Sequence, residues 1–259
     1  MNNSVKRIAF AGSGNVACHL AKGLFLQGYQ ISGIWSREQV HAQELAKSCG
    51  SVSCDEISGL REGADMIIIA VPDNAIEEVA RGIGKFEGIV VHTAGSVPIG
   101  VLKDYFKQSG VFYPLQTFSK NIPLDLKHVP FFLESSSVEV MHTLQQVAEK
   151  LSANIYEINS NQRLLLHVAA VFAGNYSNLM YVIGNELLEN SKLPPGVLHP
   201  LIMETARKAI SGDPLKMQTG PARRNDKSTM EKHIEALASL PEYAELYTLL
   251  ATLISQKYK

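Results

Sequence analysis

The chain has 259 residues, 46% of them apolar and 19% charged, with a formal net charge of −1. That composition builds an ordinary globular core, far from the disordered range, in two modest domains or one large one. The lack of a basic excess argues against nucleic acid or an anionic membrane as partner.

Residues 7–11 are a short apolar run ending in glycines and predict a buried strand. Residues 15–27 then carry Val16, Leu20, Leu24 and Phe25 at helical spacing. A strand is expected over 30–35, a helix over 38–48, a fully apolar strand over 66–71 stopped by Pro72, and a helix over 75–83. Strands over 89–93 and 110–113 follow, and strands over 131–134 and 155–158 flank a helix over 138–151. Apolar strands separated by amphipathic helices imply a doubly wound, mainly parallel sheet covered on both faces.

After Asn159 the strand signals vanish. Residues 161–190 read as one long helix, with Ser160 as its capping candidate and the loop Leu193-Pro194-Pro195-Gly196 as its end. A helix over 197–210, bent at Pro200, comes next. Ser228 and Glu231 form a capping box for a third helix, and residues 242–256 form the last. The expected organisation is an α/β domain with a doubly wound sheet over 1–158 and an all-α domain over 159–259.

Cys18, Cys49 and Cys54 are too few for a disulfide framework, and no His or Cys cluster completes a metal site, so they read as reduced thiols. The N-terminal apolar run is broken by Gly12, Gly14 and Asn15, unlike a signal peptide. The longest apolar stretch elsewhere, 66–71, is a strand's length, whereas a membrane span needs roughly 20 residues. A cytoplasmic protein is expected.

The first strand leads into Ala11-Gly12-Ser13-Gly14-Asn15-Val16-Ala17, a G-x-G-x-x-A form of the dinucleotide fingerprint in its required strand–turn–helix setting. Gly12 permits the tight turn, Gly14 admits the pyrophosphate to the backbone, and Ala17 allows close helix–strand packing. Ser13, Asn15 and Val16 complete the loop, whose amides and helix dipole favour an anion. An NAD enzyme usually ends its second strand in an acid that bonds the ribose hydroxyl. Here Ser36-Arg37 stand at that point. A hydroxyl and a guanidinium suit a 2′-phosphate, so the cofactor expected is NADP(H). The missing acid also argues against FAD and S-adenosylmethionine. Val71 and Pro72 are expected along the path from adenosine to nicotinamide, and Thr93, Ala94, Gly95 and Ser96 near the nicotinamide ribose, at the carboxyl ends of the strands.

These segments resemble a Rossmann-like family of NADP oxidoreductases with a C-terminal domain of unknown function. The family is related to pyrroline-5-carboxylate reductases, prephenate dehydrogenases and deazaflavin-dependent NADP reductases, and shares a helical C-terminal domain like that of 6-phosphogluconate dehydrogenase. The resemblance runs through the glycine loop, His92-Thr93-Ala94-Gly95-Ser96 and residues 111–119, then residues 167–176 and Thr219-Gly220-Pro221-Ala222-Arg223-Arg224-Asn225-Asp226. It implies NADP binding and a dimer built from the helical domains; it supplies no substrate. In the family the last motif commonly ends Arg-Gly-Asp. Asn225 stands where that glycine would be, so a differently built turn is expected. The catalytic lysine of the hydroxyacid dehydrogenases is absent from the long helix, with Asn175 in that region.

Hydride transfer needs a proton donor or acceptor beside the reacting carbonyl or imine carbon. The long helix offers His167 as acid/base, Asn175 to orient substrate and Asn178 to bind it. On a uniform α-helix Asn178 falls about 20° and Asn175 about 80° from His167 around the axis. Tyr113 and Gln116 are candidate donors from the opposing wall. Arg224 is a candidate for a substrate carboxylate, or alternatively the partner of Asp226 in a salt bridge. The function expected is NADP(H)-dependent oxidation or reduction of a small, carboxylate-bearing metabolite. The alternative is an NADP-binding sensor or interaction protein without turnover.

Overall fold

The computed structural model describes residues 5–258; residues 1–4 and 259 of the expected domain ranges lie outside it. β1 (Arg7–Ala11) is followed by α1 (Asn15–Leu26), β2 (Gln30–Trp35), α2 (Gln39–Ser48), β3 (Met66–Ile69), α3 (Ile76–Ile83), β4 (Ile89–His92), a short α4 (Gly100–Lys103) and β5 (Ser109–Pro114). β6 (Phe131–Ser135), α5 (Val138–Glu149) and β7 (Ile155–Glu157) complete the sheet, whose strand order is β2-β1-β3-β4-β5-β6-β7.

Neighbouring strands are parallel, as the alternating pattern predicts, except β5 and β6. The chain between these two forms only a 3₁₀ turn at Leu126–His128 and no crossover helix. It therefore re-enters the sheet from the edge it left and runs antiparallel. β3 is buried along its length, which accounts for its unbroken apolar run: Ile67 and Ile69 join one core layer with Ala9, Val79, Ile83 and Leu102, while Ile68 joins the other with Phe10, Leu20, Phe112 and Leu144. β1 lies between β2 and β3. The strand order turns there, and doubly wound sheets open their ligand crevice at such a point.

The remaining elements are α6 (Ser160–Ala170), a π-helical segment (Val171–Tyr176), α7 (Ser177–Asn190), α8 (His199–Ser211), α9 (Pro214–Met217), α10 (Lys227–Ala236) and α11 (Pro241–Lys257). The chain forms two compact units, one ending at Gly174 and one beginning at Asn175. α6 belongs with the sheet because its side chain Arg163 is buried against β6.

Several local expectations are corrected. Asn159, not Ser160, caps α6 in a reciprocal box with Gln162; the Ser160 hydroxyl goes to Glu134 instead. The π segment interrupts the expected long helix, so a uniform turn per residue does not carry from His167 to Asn175 and Asn178. Pro200 stands in the first turn of α8, where its missing N–H costs nothing, and bends no helix interior. Residues 195–198 form a 3₁₀ turn before it. Asp226 rather than Ser228 caps α10, accepting from the Thr229 amide and hydroxyl.

Candidate active site

The glycine loop fits a diphosphate. Gly12 has φ of 119°, and a Cβ there would stand 2.2 Å from the Ala70 carbonyl oxygen, so a side chain would block the passage of β1 beside β3. Its amide donates to the Trp35 carbonyl at 2.7 Å. Gly14 caps α1, and nothing lies within 4 Å of where its Cβ would be. α1 has no side-chain cap and no acid in its first turn. Its opening amides are left for an external acceptor, and the helix dipole makes an anion the favoured one. Ala17 is fully buried, as close packing requires.

Around this loop, Ser13 donates from its hydroxyl to that of Ser36 at 2.9 Å, joining the ends of β1 and β2. Arg37 is exposed and has no hydrogen-bond or ion-pair partner among the described residues. Val71 touches the space beside Gly12, and Pro72 is exposed. Asn15 can serve a diphosphate only through its backbone. Its carboxamide donates to the Phe118 carbonyl at 2.9 Å and accepts from the Lys120 amide at 3.3 Å, holding the loop after β5 against α1. A ring nitrogen of His19 adds a contact of 3.0 Å to the Ser119 carbonyl.

The chain after β4 is held from below by His92. This side chain is fully buried, and its Nδ1 accepts from the Ala94 amide at 3.2 Å. Burial, and then the nearby Arg163 charge, push its pKa down to about 3, so the ring is neutral at ordinary pH. Thr93 donates its amide to Ile69, bridging β4 to β3. Ser96 donates its hydroxyl to the Asp73 carboxylate.

Tyr113 and His167 meet in the sheet unit. Tyr113 ends β5 nearly buried, and its hydroxyl lies 3.0 Å from His167 Nδ1, with the rings edge to face at 6.0 Å. Burial raises the Tyr113 pKa above the usual phenol range, so the hydroxyl keeps its proton. The imidazole rests on Gly95: a Cβ there would be 2.6 Å from Nδ1 and 2.7 Å from Cγ. Thr117 reaches toward Gly174. Gln116 is exposed; its side-chain carbonyl accepts from the Thr117 amide at 2.8 Å and the Thr117 hydroxyl at 3.2 Å.

In the second unit, Asn175 lies in the π segment and Asn178 in the first turn of α7, both exposed. Arg224 is exposed and forms no ion pair among the described residues; the Asp226 carboxylate is engaged by Thr229. Asn225 has φ of 54°. It adopts the left-handed conformation that glycine takes freely and asparagine tolerates.

The buried Arg163 and His92 and the partly buried Glu134 were given no role of their own from the sequence. Arg163 donates to the carboxylate of Glu134 and to the Val97 carbonyl, while His92 supports the 93–96 chain. The signal available was Arg163 itself, a cation one helical turn from His167.

A family model described as NADP oxidoreductase coenzyme F420-dependent matches residues 7–94, and one for a domain of unknown function, DUF2520, matches residues 129–254. The crystal structure of a "putative NADP oxidoreductase" from Bacteroides fragilis is 39% identical, covers 97% of this chain and 98% of that one, and superposes with a TM-score of 0.92. The pyrroline-5-carboxylate reductase of Pseudomonas aeruginosa is 27% identical over 156 residues, which are 58% of this chain and 56% of that protein. A reductive aminase from Aspergillus terreus in complex with NADPH and ethyl-5-oxohexanoate shares the fold at 15% identity, with a TM-score of 0.73 over 97% of this chain and 93% of that one. No helix among the described residues is long and apolar enough to cross a membrane. The chain belongs to the NADP oxidoreductase family, pairing its N-terminal NADP oxidoreductase domain with a DUF2520 domain.

Proposed function

We propose that this NADP(H)-dependent oxidoreductase transfers a hydride to or from the carbonyl or imine carbon of a small, carboxylate-bearing metabolite. The observation that carries the reading is the Tyr113–His167 pair at the carboxyl ends of the same strands whose first loop leaves α1 uncapped. Bound NADPH supplies the hydride. Gly12, Ser13, Gly14, Asn15 and Val16 hold the diphosphate through the loop and the first helical turn. Ser36 and Arg37 read the 2′-phosphate, and Val71, Pro72, Thr93, Ala94, Gly95 and Ser96 flank the remainder of the cofactor.

The Tyr113 hydroxyl, which keeps its proton, is hydrogen-bonded to His167 Nδ1 and leaves Nε2 as the outward nitrogen of the ring. In reduction the ring, protonated on both nitrogens with Nδ1–H held by the Tyr113 oxygen, delivers its Nε2 proton to the substrate nitrogen or oxygen and is left neutral; in oxidation the neutral ring takes that proton up at Nε2. Gln116 is a further substrate-binding group beside this pair, and Asn175, Asn178 and Arg224 are the substrate-binding groups assigned to the second unit. An imine or keto acid is supported by the relative named for a cyclic imine carboxylate and by the fold neighbour that is a reductive aminase. We also propose a homodimer through the helices of the second unit. Leu201, Met203, Leu249 and Leu253 are exposed there and are the candidate contact side chains.

Parallel titrations with NADPH, NADH and FAD test the cofactor. Loss of nicotinamide absorbance with a panel of cyclic imines, keto acids and deazaflavins tests the chemistry. Saturable NADPH binding without turnover of any panel member would overturn the catalytic reading. A monomer in sedimentation equilibrium would overturn the dimer.

A further inference from the structure

We propose that Arg163 and Glu134 are positioning residues for His167, and that the ion pair between them sets where α6 lies along the sheet. The inference rests on reading Tyr113 and His167 as the proton-handling pair. It follows from a match of spacings. His92, Val111 and Glu134 occupy one row across β4, β5 and β6, so their side chains leave the sheet on one face. Tyr113 stands on that face two residues further along β5, about 7 Å away. Arg163 and His167 are one turn apart on one face of α6, about 6 Å along its axis. Arg163 therefore falls on the row of Glu134 while His167 falls on Tyr113. A slip of α6 by one residue would lose both contacts.

The anchor is built from several directions. Arg163 is 1% exposed and Glu134 15% exposed at their side chains. One guanidinium nitrogen donates to the Glu134 carboxylate and another to the Val97 carbonyl, two residues beyond the glycine on which the His167 ring rests. Ser160 donates its hydroxyl to Glu134 at 2.8 Å and its amide at 3.1 Å, and its oxygen accepts from the Ile99 amide at 3.2 Å. The same pair thus ties the first turn of α6 to β6 and to the 97–99 chain. Its charges neutralise each other, so Arg163 is not a spare cation for substrate. Nor is stability a sufficient role. Replacing both members of a buried ion pair by apolar residues is often neutral or stabilising, whereas removing one strands a buried charge.

The test is nitrogen NMR of full-length protein labelled at histidine, with the His167 signals identified by H167Q. In the native protein the two ring nitrogens are expected well separated, as one tautomer held by Tyr113. In Glu134→Leu/Arg163→Met, retaining its circular dichroism and a native-like melting temperature, the two signals are expected to move several ppm toward each other as the tautomers mix. Arg163→Lys, which keeps the charge but loses the planar fork, is expected to give an intermediate shift. Unchanged His167 signals in the folded double variant overturn the proposal. Should the double variant not fold, unchanged signals in Arg163→Lys overturn it. The readout needs no substrate. Full turnover by Tyr113→Phe would remove the assigned chemistry of the site and leave the NMR result standing.

Discussion

The Tyr113 hydroxyl and His167 Nδ1 face each other at 3.0 Å, bringing the end of a strand and the middle of a helix to one hydrogen bond. Substitution of His167 by Gln is expected to lower kcat about 10²–10⁴-fold, the usual worth of a positioned acid or base. Tyr113→Phe should cost less, because it removes the ring's orienting partner and not the proton carrier. Steady-state kinetics on any substrate the panel finds will check both. Full activity in folded H167Q protein would dismiss His167 as the acid.

Arg37 stands exposed two residues beyond β2, with no hydrogen-bond or ion-pair partner among the described residues. Its replacement by Ala is expected to weaken NADPH binding about 10–100-fold, in keeping with the roughly 1.5–3 kcal/mol of a hydrogen bond to a charged group. NADH binding should change little. Fluorescence titration with the two nucleotides separates the cases, and equal losses would place Arg37 away from the 2′-phosphate.

Gly95 has no room for a methyl group, since His167 already fills the space. Gly95→Ala must push the imidazole aside or shift the 93–97 chain, at a cost of about 1–3 kcal/mol. Urea unfolding will read the loss. A variant as stable as the parent, with its His167 signals unmoved, would show that the contact is loose.

His92 carries a pH signature. Its folded pKa of about 3 lies below the ordinary 6.5, so the unfolded chain binds a proton that the folded one refuses. The associated stability is complete above pH 6.5 and declines as the pH falls toward 3, by at most about 1.4 kcal/mol per pH unit. His92→Asn keeps an acceptor for the Ala94 amide and removes the titration. Over this range its unfolding midpoint should fall less steeply with acid than that of the parent, whatever its stability at neutral pH. Parallel slopes would contradict the assignment.

Local signals carried much of the architecture. The run Ala11 to Ala17 reads as a phosphate loop because its strand, its glycines and its helix are contiguous, so no distant residue is needed to recognise it. β3 was legible for the same reason. Long-range relations were not. Glu134 and Arg163 lie far apart in the chain, and each alone reads as a solvated charge; only the antiparallel turn of β6 brings the carboxylate under α6. The π segment escaped because apolar residues on both sides keep a helical rhythm that a local widening of the turn barely disturbs. The caps were decided by competition. Asn159 and Ser160 are both able to cap, but only Asn159 has a glutamine three residues on. Asp226 prevailed at α10 because its carboxylate reaches both the Thr229 amide and hydroxyl.

The left-handed residue at 225 also bears on how relatives of this chain are recognised. Such a turn asks for a dihedral angle, and the alphabet offers more than one letter that can reach it. A search pattern demanding glycine between Arg224 and Asp226 would pass over this protein, although its backbone makes the bend that glycine would make. A pattern written in conformations, admitting asparagine wherever φ is positive, would retain it.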